Sequence, residues 1–152
     1  SSLDPKGWPV EVGLARVIEG QVVVQSRLIR PEWNWRDWSF SSQEIHGITR
    51  AQLAREGQAA RDVAQWVYSY LREAILVSDA PHQDQHWLEC LFDAHPEPPP
   101  QGWRVMDFDA LIGRLEPARQ HAAWIELDAT PRPHRAGPDA ALLASIFWRA
   151  QA

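Results

Sequence analysis

Two β-rich runs meeting at Glu19-Gly20 constrain this chain more than any other feature. Val10, Val12 and Leu14 alternate, Val17-Ile18 follow, and Val22-Val23-Val24 open a return that continues to Ile29. Runs of this kind, joined by two residues ending in Gly, predict a hairpin over Val10–Ile29. Beyond it the pattern turns helical. Helices are expected over Thr49–Glu56 and Ala59–Ala74; in the second, Val63, Val67 and Leu71 recur at four-residue steps, widened by Trp66 and Tyr70. Ile75-Leu76-Val77 reads as a short buried strand, broken by Ser78-Asp79-Ala80-Pro81. A helix from His82 to Ala94, a strand over Trp103–Asp107, a helix over Phe108–Ile125 interrupted near Pro117, and a last helix over Pro138–Ala150 complete the order. Pro31–Phe40 lacks a helical period and reads as an ordered loop. So does the proline-rich stretch His95–Gly102. The alternation predicts a single α/β layered domain, residues 1–152, with a mixed sheet.

Composition bounds the function classes. Fifteen basic residues against twenty acidic ones leave a net charge of −5. That excludes holding nucleic acid by a broad basic surface, but not bridging to phosphate through metal ions on acidic ligands. Cys90 is the single cysteine, so no intrachain disulfide forms. It fits a reducing compartment, and no apolar run reaches membrane-spanning length. A soluble, cytoplasmic domain with no membrane partner is the expectation.

Two aspartates stand against pattern. Asp84 shares its helical face with Leu88 and Leu91, and Asp139 shares its face with Leu142, Leu143 and Ile146. Carboxylates on core-facing stripes are costly unless compensated, and the natural compensation is a cation. Hard oxygen donors suit Mg²⁺ or Mn²⁺ over Zn²⁺. Each aspartate alone is also what helix capping and the macrodipole favour without any function. His134 lies five residues before Asp139, between Arg132 and Arg135. A histidine beside a metal site suits general-base work, and the two arginines could hold a phosphate.

Two other clusters compete. His82, His86 and Cys90 share a helical face, and His82–His86 resembles the zinc-protease pattern, but Gln83 stands where a basic Glu is needed. His82 and Cys90 are roughly 12 Å apart along a helix, too far to share an ion. This face reads as solvent-facing. Among nine tryptophans, Trp66, Trp87 and Trp148 are expected in or near the core. Trp33, Trp35 and Trp38 could stack nucleobases or pack the loop onto the domain.

Taken in order, these residues resemble the DEDDh 3′–5′ exonucleases of the ribonuclease H-like superfamily, which include RNase T, oligoribonuclease and polymerase proofreading subunits. Ser1-Ser2-Leu3 resembles the end of the family's first motif, Asp-x-Glu-x-x-Gly-Leu, and Val10-Glu11-Val12-Gly13 the strand after it. His46-Gly47-Ile48-Thr49 matches a His-Gly-Ile-Thr segment. Ser78–Asp84 with Trp87-Leu88 is similar to the third-acid motif, with Asp79-Ala80 in place of its His-Asn pair. His134–Asp139 fits the closing His-x-Ala-x-x-Asp motif. The resemblance implies a ribonuclease H-like three-layer fold in which Asp84 and Asp139 ligate metal and His134 activates a water. Two Mg²⁺ or Mn²⁺ ions about 4 Å apart would clamp the scissile phosphate. Leu3 and His46 fall where the family contacts the terminal nucleotide. Single-stranded 3′ ends or short oligonucleotides are the implied partners, nucleoside 5′-monophosphates the products, and a homodimer is compatible with the family.

The family's first Asp and its Glu would fall just before Ser1, so these residues hold half of the metal cage. Ser1–Gly7 is turn-like, with neither Met nor a strand ahead of the hairpin. The expectation is that the sequence begins inside the domain, with the central first strand missing. Metal binding would then be weak or confined to one site, and activity would need the missing acids. Two other readings stand beside this one: a non-catalytic nucleic-acid-binding or protein-interaction module, and a small α/β domain with no nucleic-acid role. Direct pairing of Val10–Ile18 with Ile75–Val77 would remove the case for a missing strand.

Overall fold

A computed structural model describes residues 1–152. The hairpin forms from β1 (Glu11–Ile18) and β2 (Gln21–Arg30), antiparallel from Glu11 opposite Leu28 to Ile18 opposite Gln21. Glu19 (φ 50°) and Gly20 (φ 78°) both take left-handed backbone, as a two-residue turn between twisted strands requires. A two-residue β3 (Gln58–Ala59) adds to β2 in parallel. The segments β4 (Leu76–Ser78) and β5 (Val105–Asp107) pair in parallel as a separate ribbon. With seven helices around these strands, the fold is mixed α/β with a small mixed sheet.

Helix boundaries follow local chemistry. Thr49 caps α2 (Arg50–Glu56) by accepting from the Gln52 N–H at 3.1 Å. Next come α3 (Ala60–Leu71) and α4 (Pro81–Phe92), the latter with proline in its first turn, where no N–H is needed. The expected Phe108–Ile125 helix is two helices, α5 (Phe108–Ile112) and α6 (Pro117–Ala129), and α6 runs four residues further than expected. Pro117 cannot continue a helix from before it but can start one. α7 (Ala136–Gln151) closes the chain. The sequence reading missed α1 (Phe40–His46), whose two ends are nevertheless marked: Ser39 accepts from the Ser42 N–H, and Gly47 takes φ 70° after its last turn.

Three apolar clusters hold these elements. Val63, Ala64 and Val67 of α3 meet Val12, Ile29 and Leu91. Phe108 and Ile112 pack with Leu143 and Ile146 of α7. Trp8, Ile48 and Leu53 form the third, and it settles the tryptophan loop: Trp35 stacks on Trp8 with centroids 5.5 Å apart, and Trp38 lies 5.6 Å from it. Those two rings pack the loop rather than standing free for bases, whereas Trp33 is exposed. Trp148, expected near the core, is also exposed. The His82 face is only partly in solvent. His82 is exposed, but His86 is half-buried and Cys90 packs against the Trp8 cluster, where burial pushes its thiol up to about 11.

β1 and β4 do not pair with each other. Each has one strand neighbour, β2 and β5 respectively, and one edge without a partner. Residues of both strands line a single cleft of about 1390 Å³, walled elsewhere by Leu88, Phe108 and Leu143. Typical ligand clefts measure about 300–1,000 Å³, so this one is large. Several of its walls are apolar side chains that would otherwise be core.

Candidate functional site

The cleft gathers the two aspartates Asp84 and Asp139, the histidines His134 and His46, and Leu3, but not Arg132, Arg135 or the His82 face. Asp84 stands in the first turn of α4 and Asp139 in the first turn of α7, so the N-terminal ends of two helices bring their carboxylates to one space. Neither is the capping residue of its helix; those positions are Ala80 and Arg135. The carboxylate of Asp84 is held by the Ser78 hydroxyl, which donates to its Oδ2. Ser78, at the end of β4, itself accepts from the Ala80 N–H at 2.9 Å. Asp139 Oδ1 is buried and has no hydrogen-bond partner.

The charges are consistent with that placement. Burial pushes the Asp84 carboxyl above its ordinary value of 3.8; the Ser78 hydrogen bond opposes this, and the Asp79 charge adds to it. Burial likewise raises Asp139, with Arg132 and His134 pulling it down and Asp79 pushing it up. Asp79 therefore acts on both acids. It is ion-paired with Arg132, a residue of the loop before α7. The sequence reading placed Ser78 and Asp79 in the third-acid motif with Asp84 but gave neither a role; their place at the end of a strand that enters an acid-bearing helix was the available signal.

A carboxyl raised on folding keeps its proton after the unfolded chain has released it. The folded state is then favoured at low pH, and that advantage is lost as pH climbs from the ordinary value of 3.8 through the raised folded value. Asp84→Asn removes the buried charge and keeps an acceptor for Ser78. It is expected to raise the melting temperature at pH 7 in metal-free buffer, with the gain shrinking below pH about 4. Thermal denaturation at the two pH values tests this; an equal gain at both would contradict it.

His134 is exposed at the cleft mouth, with φ 56°, a left-handed backbone that non-glycine residues take only when held. His46 stands on the opposite flank of the motif set. Its Nδ1 accepts from the Ile48 N–H at 3.0 Å, which leaves Nε2 as the proton-bearing nitrogen, buried and without a partner. Burial, with the N-terminal ammonium and Arg135, holds its pKa below the usual range. Leu3 is three-quarters exposed on the rim. Both arginines considered for a phosphate are ion-paired: Arg132 with Asp79, and Arg135 with Glu11 in a bidentate pair at 2.9 Å through Nε and Nη2.

For Mg²⁺ or Mn²⁺ the donor chemistry fits in part. Two carboxylates face one cleft, and the orphaned Oδ1 of Asp139 is an oxygen ligand with nothing attached. No group of three or more His, Cys, Asp or Glu side chains stands close enough to enclose an ion. No helix is long and apolar enough to cross a membrane. No protein-family model matches the chain, and no curated protein matches it.

Proposed function

We propose that this chain serves a metal-dependent 3′–5′ exonuclease of ribonuclease H-like architecture, releasing nucleoside 5′-monophosphates from single-stranded 3′ ends or short oligonucleotides. The observation that carries this reading is the convergence of Asp84 and Asp139 from two helix N-terminal turns on one cleft with His134 at its mouth. In the reading, Asp84 and Asp139 hold Mg²⁺ or Mn²⁺. Bound divalent cations supply charge that offsets the developing negative charge on the phosphate and lowers the pKa of an attacking water. His134 takes the proton of that water from the solvent side. Arg132 lies beside the carboxylates, where its guanidinium can swing from Asp79 to a phosphate oxygen. Leu3 and His46 border the end of the cleft at which a terminal nucleotide would rest, Leu3 with an exposed apolar face and His46 with an unpaired donor.

The same reading accounts for the cleft between β1 and β4. An extended apolar segment placed there would pair with both free edges, join the two sheets into one, and bring the remaining carboxylates of the cage against Asp84 and Asp139.

The direct test is incubation of protein carrying the complete set of metal-binding acids with a 5′-labelled single strand and Mn²⁺, followed by analysis of products. Stepwise shortening from the 3′ end with release of 5′-monophosphates is expected, and chelation should abolish it. Binding of the strand without shortening would instead favour a non-catalytic module on the same scaffold. Asp139→Asn is expected to weaken Mn²⁺ binding itself, measured by calorimetry; unchanged affinity would remove Asp139 from the site.

A further inference from the structure

Glu11 opens β1 with a side chain only 5% exposed, and it spends both carboxylate oxygens on one place far along the chain. Oε1 accepts from Arg135 Nη2 and Oε2 from Arg135 Nε, each at 2.9 Å, and Oε2 also accepts from the backbone N–H of Ala136 at 3.0 Å. Ala136 is the first residue of α7, and Arg135, its capping position, offers no side-chain cap of its own. Glu11 therefore caps α7 from the neighbouring strand β1, 125 residues earlier in the sequence. It satisfies a terminal N–H and places negative charge at the positive end of the helix.

A second contact holds the same turn. A Cβ on Gly13 would fall 2.1 Å from the Ala136 carbonyl carbon and 2.3 Å from the Gly137 nitrogen, so β1 and the first turn of α7 touch backbone to backbone. Gly137 is buried in turn, close against Ser26 of β2. His134 sits two residues before Ala136 with its left-handed φ, and Asp139 three residues after it. The Glu11–Arg135 pair also lies near enough to His46 for both charges to act on its ring.

We infer that Glu11 is a positioning residue: through Arg135 and the Ala136 N–H it sets where His134 and Asp139 stand relative to the cleft. The inference rests on the exonuclease reading for its catalytic meaning, but not for its geometry. A bidentate charged clamp orients better than a single contact, and residues that orient a site in this way typically contribute about 10–100-fold to affinity or activity.

Glu11→Gln in the full chain keeps the shape and loses the charge and the fork. In protein carrying the complete set of metal-binding acids, with Mn²⁺ and a single-stranded oligonucleotide, kcat is expected to fall about 10–100-fold while KM stays within a factor of about two. The His134 ring resonances should shift and the Ala136 amide should exchange faster. A merely structural role would lower the melting temperature and leave kcat and the His134 resonances as they were; that result overturns the inference. If protein carrying the complete set of metal-binding acids hydrolyses nothing, the exonuclease reading fails, and the His134 and Ala136 signals still decide the clamp. Should Glu11→Gln not fold, the double variant Glu11→Gln/Arg135→Gln, which leaves no lone guanidinium at the clamp, gives the same readouts.

Discussion

His134→Ala, in protein carrying the complete set of metal-binding acids, is expected to lose about 10²–10⁴-fold of its hydrolysis rate, the usual contribution of a general base. The substitution removes a side chain from the exposed mouth of the cleft and touches no core cluster, so the fold should be unaffected. Affinity for Mn²⁺ should be unchanged, because Asp84 and Asp139 keep their places. The loss should appear in kcat with KM nearly constant, as expected for a group that acts in the chemical step. Single-turnover hydrolysis with and without the histidine measures it. Near-normal turnover would remove His134 from the mechanism while leaving the two aspartates untouched as a cation site. Loss of metal binding together with rate would point instead to collapse of the left-handed loop that holds Asp139.

The second large effect concerns the cleft between β1 and β4. Each has one edge without a strand partner, and apolar side chains line the space between them. On the ribonuclease H-like reading an extended apolar strand fits that space and pairs with both edges. An extended apolar peptide supplied in trans is therefore expected to bind there and to stabilise the fold by about 2.7 kcal/mol when present at about 100 times its Kd. The checks are the melting temperature and amide exchange, which should slow along Val10–Ile18 and Leu76–Ser78 together. Edges that exchange as before in the presence of the peptide, or that are already protected without it, would count against the ribonuclease H-like architecture.

What could be read directly from the sequence were features whose cause is local. The hairpin is visible because alternation and a Glu-Gly turn act within a few residues, and its register follows from the turn. α2 is visible because Thr49 caps it, and α3 because Val63 and Val67 repeat on one face. The split at Pro117 lies in the proline itself. The inward stance of Asp84 and Asp139 is local too, since it depends only on helical spacing to the leucines beside them. α1 was missed because its caps are short polar signals with no apolar stripe behind them; none of its residues is buried.

Tertiary structure decided the rest. Nothing in the spacing of Asp84 and Asp139, fifty-five residues apart, says that α4 and α7 aim their first turns into one cleft. No local rule separates Arg132 from Arg135, yet one pairs with Asp79 and the other is committed to a buried glutamate 124 residues away. Trp35 and Trp38 became packing residues only because Trp8 is brought beneath them. That β4 joins β5 and leaves β1 alone across a cleft depends on which backbone edges meet. Edge pairing is set by long-range closure, whose entropic cost and packing gain no single segment encodes.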